Sequence, residues 1–101
     1  MSTVVPLHRR HRRRLPELLW REAVGEVLRE ERQDRGERIV DTAGTAGVSP
    51  QYLSEVERGR KDPSSEVLSA LTGALDLSVA EVAARAADRM TRSSGPLCLA
   101  A

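Results

Sequence analysis

Between Leu19 and Asp34 the apolar residues Leu19, Ala23, Val24, Val27 and Leu28 recur at three- and four-residue spacing, the repeat of one helix face. Glu and Arg fill the solvated face, and Trp20 stands beside the stripe, placed to cover an edge. Pro16 suits a first helical position, so the pattern predicts a helix from about Pro16 to Asp34, ended by Gly36. The next stretch, RIVDTAGTA, is a short, poor helix, because Gly44 costs roughly 1 kcal/mol relative to Ala. Gly47 stands where a tight turn needs positive φ. Ser49 can cap a new helix, Pro50 fits its first position, and Gly59 closes it with a left-handed cap. A fourth helix opens in DPSSEVLSALTGALDL, capped by Ser64 or Asp62, with Val67, Leu68, Leu71, Ala74 and Leu75 inward. A Ser78-x-x-Glu81 capping box starts the last helix, whose stripe is Val79, Val82, Ala83, Ala86 and Met90. These elements make an all-α, five-helix bundle.

Composition agrees with that class. Apolar residues are 40% of the chain, aromatics only 2%, and Phe is absent, so a core of Leu, Val and Ala suits helices rather than strands. At 101 residues there is room for one small domain and loose ends. The expected divisions are a basic arm over 1–14, a helical domain over 15–90 and an unstructured tail over 91–101. No apolar run reaches the roughly 18 residues of a membrane span, and the charges in LPELLWREAVGEV break any signal-peptide core. A cytoplasmic, nucleoid-associated protein without a membrane partner is expected. Cys98 is alone, which rules out an intrachain disulfide.

Charge changes the picture more. The net value of +1 hides a separation: Arg9, Arg10, Arg12, Arg13 and Arg14 give the first fourteen residues +5. The remainder carries 11 basic and 15 acidic side chains, hence −4. An Arg-rich arm on a small helical domain favours a polyanion partner over a merely solubilising tail.

Residues 39–58 fit a helix-turn-helix frame. Two short helices joined by a tight turn need a small residue where they touch, a glycine at the turn and apolar residues facing inward. Ala43 is the small residue, Gly47 the turn glycine, and Ala46, Val48, Leu53 and Val56 the inward positions. Thr42 departs from the frame, since an aliphatic residue is usual there; its hydroxyl should bond the helix backbone or lie partly exposed. With Gly44 nearby, this first short helix should be the least stable element.

Over residues 24–82, from VGEVLREERQDRG through GVSPQYLSEVERGRKDPSSEVLSALTGALDLSVAEV, the chain resembles the phage-repressor-like (Cro/C1, xenobiotic-response-element type) helix-turn-helix family. The wording YLSEVERGRKDPSSEVLSAL looks most like actinobacterial transcriptional activators of Clp protease operons. The resemblance implies a sequence-specific regulator, an activator of Clp protease genes. It also implies a structural pair, Arg32 with Glu57, which the spacing allows to be half-buried.

With Leu53 and Val56 inward, Gln51, Tyr52, Ser54, Glu55 and Arg58 remain outside. The N-terminal part of such a helix enters the major groove. Gln51 can pair with adenine and Glu55 can accept from cytosine, four residues apart on one face; Glu55 reads equally as a plain surface charge. Tyr52 can meet a thymine methyl or a phosphate, or bridge to the core edge. Ser49, Pro50 and the first amides form a phosphate site. Arg58, Arg60 and Lys61 form a backbone clamp or a solvated loop, Arg38 joins the contact set, and Arg12, Arg13 and Arg14 follow phosphates or enter a minor groove.

Double-stranded DNA is therefore the expected partner, met by a homodimer on an inverted repeat. The dimer candidate is the last helix, with small residues at 83, 84, 86 and 87 and Val79, Val82 and Met90 as anchors, unless that stripe folds onto its own bundle. RNA polymerase is a further partner of an activator. The ending Leu99, Ala100, Ala101 resembles tags gripped by AAA+ proteases, which adds the Clp protease as a partner and the ending as a degradation signal. The other class of reading is an antitoxin or partner-binding regulator of the same fold. No catalytic residue, cofactor or metal is expected: His8, His11 and Cys98 lie in the arm and tail, with no nucleophile and base that can be paired.

Overall fold

The structure is a computed structural model that describes residues 18–93. Among the described residues it is five helices without a strand: α1 (Trp20–Asp34), α2 (Ile39–Ala46), α3 (Pro50–Glu57), α4 (Ser65–Ala74) and α5 (Val79–Ser93). The all-α class and the five elements are as the pattern predicts.

The starting point of α1 differs. Helix begins at Trp20, with Leu19 as an extended N-cap. Leu19 has no side-chain acceptor, but the Glu22 carboxylate accepts its backbone N–H at 2.8 Å, which supplies one half of a capping box. Leu19 therefore leaves the buried stripe and is 45% exposed, since outside the helix the 3.6-residue repeat no longer sets its direction. Leu18 packs against the core instead. Pro16 lies outside the described residues. At the other end, Gly36 takes φ +71° and donates to Gln33 as the chain leaves the helix.

The turn from α2 to α3 follows the sequence closely. Gly47 has φ +80° and its N–H meets the Ala43 carbonyl at 2.9 Å. Ser49 then caps α3, its Oγ accepting the Tyr52 N–H at 3.0 Å, with Pro50 in the first turn. Ser64, not Asp62, caps α4, and Ser78 and Glu81 exchange both bonds of the predicted box at α5. Asp76, at φ +57°, makes the left-handed turn between α4 and α5 that glycine makes elsewhere. Helix α5 continues through Thr91, Arg92 and Ser93, past the boundary expected at residue 90.

Helix α1 is the hub. Its buried face, Ala23, Val24, Val27 and Leu28, packs on α5 along one side and α3 along the other. Helix α2 adds Ala43 and bridges α3 and α4, while Leu53 and Val56 of α3, Leu71 of α4 with Leu75 just beyond it, and Val82 and Ala86 of α5 complete the core. The stripe of α5 packs on its own bundle: Val82 and Ala86 are fully buried and Met90 is partly buried against the core. A ladder of ion pairs, Arg85 with Glu30 and Glu31 and Arg89 with Glu26 and Glu30, runs along the same α1–α5 seam. Val79, Ala84 and Ala87 remain exposed. No single helix is long and apolar enough to cross a membrane among the described residues.

Candidate nucleic-acid interface

Helix α3 has two unlike faces. Leu53 and Val56 are buried in the core, and Glu57 is buried beside them. Gln51 is exposed on the opposite face; Ser54 and Glu55 are half-buried at its flanks. None of these three side chains has an intramolecular hydrogen bond or ion pair among the described residues, so an amide, a hydroxyl and a carboxylate are available to a ligand. Gln51 and Glu55 lie one turn apart, about 6 Å along the axis. Tyr52 is half-buried and packs its ring against the core, the bridging position, while Ser49 and Pro50 are exposed at the start of the helix.

The end of α3 is seated on α1 with little room. A Cβ on Gly25 would stand 2.3 Å from the Val56 carbonyl oxygen and 2.6 Å from that of Glu57. A Cβ on Gly59, at φ +76°, would stand 2.7 Å from the Glu22 Cγ and 2.9 Å from its Cα, and the Arg21 Nε donates to the Gly59 carbonyl at 2.8 Å. The sequence reading passed over Gly25 and Arg21. The available signal was Gly25 itself, a costly residue in the middle of a strongly periodic helix.

Arg32 and Glu57 lock the same junction. Arg32 Nε and Nη2 donate to the two Glu57 carboxylate oxygens at 2.7 and 3.0 Å, with side chains 11% and 4% exposed. Its hydrogen bonds to the Glu57 carboxylate push the Arg32 guanidinium above its ordinary value. Arg32 Nη1 also donates to the Glu37 carbonyl at 2.8 Å, which ties in the start of α2. Thr42 corrects the expectation made for it: it is fully buried, and its hydroxyl bonds neither backbone nor water-facing surface but donates to the Glu37 carboxylate at 2.6 Å. The polar atom is tolerated at an inward position because a carboxylate reaches it. That bond, followed by one from Arg35, holds the Glu37 carboxyl below its ordinary range.

The cations sort by position. Arg58, Arg60 and Lys61, around the turn that ends α3, are exposed and have no acidic partner among the described residues. Arg38 is exposed but engaged by Asp41 at 3.2 Å, a bond that raises the guanidinium and lowers the carboxyl. Arg12, Arg13, Arg14, Leu99, Ala100 and Ala101 lie outside the described residues, as do His8, His11 and Cys98. Among the described residues, no cluster of His, Cys, Asp and Glu is arranged to hold a metal ion.

A family profile described as a helix-turn-helix domain matches residues 23–85, more than half of the chain and centred on α2, the glycine turn and α3. The chain belongs to the helix-turn-helix family. The transcriptional regulator ClgR of Mycobacterium tuberculosis is 50% identical over 74 residues, covering 73% of this chain and 66% of that relative. The crystal structure of the clp gene regulator ClgR from Corynebacterium glutamicum superposes with a TM-score of 0.77 at 47% identity, covering 84% of this chain and 90% of that one. The restriction-modification controller protein C.AhdI from Aeromonas hydrophila matches at TM-score 0.60 and 31% identity, covering 61% and 94%. The resemblance read from YLSEVERGRKDPSSEVLSAL is met by these relatives.

Proposed function

We propose that this helix-turn-helix chain is a sequence-specific DNA-binding transcriptional regulator, an activator of Clp protease genes that binds an inverted repeat as a homodimer through α3. The observation that carries the reading is the outer face of α3, where Gln51, Ser54 and Glu55 are unpartnered while Leu53, Val56 and Glu57 fix the helix to the domain. Gln51 meets adenine and Glu55 meets cytosine in the major groove. Ser49, Pro50 and Tyr52 approach the backbone at the start of the helix, with Arg58, Arg60 and Lys61 at its end and Arg38 after release from Asp41. One such helix covers only a few base pairs, which supports a two-fold dimer. Clp genes as the target rest on the relatives named clp gene regulators. The Leu99–Ala101 ending as a protease handle is a proposal from the sequence.

Selection of duplexes from a random pool by the full chain tests the reading. Enrichment of an inverted repeat is expected, with relaxed preference at a single position in each half-site for Gln51→Ala. Failure of the pool to converge on any sequence overturns it.

A further inference from the structure

The described cations fall into two groups. Arg32, Arg35, Arg38, Arg85, Arg89 and Arg92 are each paired with a carboxylate. Among the described residues Arg29, Arg58, Arg60 and Lys61 have no such partner, and Arg21 meets the Gly59 carbonyl. Arg58, Arg60 and Lys61 belong to the end of α3 and its turn. Arg29 is different: it sits on α1, one turn before Arg32, at a position the sequence assigns to the ordinary solvated face.

The fold gives that side chain particular company. A cleft of about 230 Å³ opens between α1, α2 and α3, lined by Arg29, Arg32, Ile39, Ser54, Glu57 and Arg58. Three guanidinium groups and one carboxylate give the lining 3 − 1 = +2. Glu57 has both oxygens committed to Arg32, so it does not neutralise Arg29 or Arg58. Among the described residues the Ser54 hydroxyl is unpartnered as well. Two unpaired cations facing one cleft repel each other and focus a positive field there, an arrangement that an anion relieves. Guanidinium forks with a neighbouring hydroxyl are the donor set for a phosphate group.

The position of the cleft selects the phosphate. Ser54 and Arg58 are one turn apart on α3, and Ser54 is three residues after Gln51, so the cleft borders the face assigned to base reading. A duplex on that face brings its own backbone alongside. We propose that this cleft receives one phosphate of the DNA backbone, with Arg29 of α1 and Arg58 of α3 as its cationic arms and Ser54 as a hydroxyl donor. The contact makes the hub helix part of the interface and sets the register of α3 on the duplex without reading a base. This inference rests on α3 being the reading helix.

The test is a salt series of binding to the selected duplex and to an unrelated one, with the unaltered chain, Arg29→Gln and Arg29→Lys. Arg29→Gln is expected to weaken both duplexes by the same factor and to lower the slope of log K against log salt by up to about 0.9. Arg29→Lys should restore the slope with only part of the affinity, because an ammonium lacks the fork. In a methylphosphonate scan of the selected duplex, one neutralised phosphate should weaken the unaltered chain and leave Arg29→Gln no weaker. A slope and affinity for Arg29→Gln equal to those of the unaltered chain overturn the inference while leaving the reading helix intact. A fall in melting temperature that accounts for the binding loss assigns Arg29 to the fold and overturns it too. Failure of the reading helix itself is visible separately, as the unaltered chain preferring no duplex.

Discussion

Glu55 and Glu57 are two residues apart on α3 and have opposite fates. Glu55 is half-buried without a partner among the described residues, while Glu57 is buried with both oxygens on Arg32. Two steps along a helix turn a side chain about 200°, so one carboxylate is left on the outer face and the other faces the core. Removing one member of a buried pair leaves the other charge uncompensated. Glu57→Ala is therefore expected to cost about 3 to 5 kcal/mol in urea unfolding, and replacing Arg32 and Glu57 together by Leu should recover most of that loss. Glu37 carries a second prediction. Its folded-state carboxyl is held down first by the Thr42 hydroxyl and then by Arg35, so its contribution to stability is full above its unfolded-state value and is lost as pH falls through the depressed one. Thr42→Val removes the first cause at nearly equal volume. The Glu37 midpoint, followed by NMR titration of its side-chain carboxyl carbon, should move up toward its ordinary value; an unmoved midpoint would show that Thr42 does not hold it.

At the scale of elements, the seat of α3 on α1 decides how the outer face is presented. The approach is close enough that Gly25 cannot carry a Cβ without displacing the carbonyls of Val56 and Glu57. Gly44, also helical, has nothing within 4 Å of the same added atom. The two glycines therefore predict opposite signs for one substitution. Gly25→Ala should destabilise by about 2 to 3 kcal/mol through overpacking, and Gly44→Ala should stabilise by about 1 kcal/mol through helix propensity. Denaturant midpoints of the two variants decide the matter, and equal signs would contradict the packing described for α3. The ion-pair ladder between α1 and α5 adds little per pair, since its side chains are partly exposed; that helix is held chiefly by Val82 and Ala86.

On the scale of the whole molecule, charge and attachment points coincide. The start of α1 lies against the turn that ends α3, through Arg21 on Gly59, and the Leu18 N–H meets Ser93 Oγ at 3.1 Å. The first turn of α1 therefore lies beside the turn that carries Arg58, Arg60 and Lys61. Residues 15–101 carry a net charge of −4 against +5 over 1–14, so on the proposed reading the basic stretch is expected to add to the non-specific attraction to DNA. Deleting it should flatten the salt dependence of binding by up to about 4 log units per log salt if all five Arg neutralise phosphates. A salt titration with an unchanged slope would assign the stretch no phosphate contact.

The five helices, their caps at Ser49 and Ser78 and the turn at Gly47 were readable from the chain because each depends on neighbours within about four residues, while the cap of α4 was narrowed only to Ser64 or Asp62. The inward set of the turn, Ala43, Leu53 and Val56, was readable for the same reason: periodicity alone sorts one face of a short helix from the other. The start of α1 was misplaced because a proline preference competes weakly with a carboxylate that caps Leu19 directly. Other features belong to the fold alone. Gly25 under α3, the Thr42–Glu37 bond, Arg29 in the cleft of Arg58 and the burial of the α5 stripe all join residues distant in sequence or set by how helices stack. Local rules determined which helices form and which face of each is apolar; only packing in three dimensions decided what each face meets, because close approach and charge pairing depend on distances through space that the order of residues does not contain.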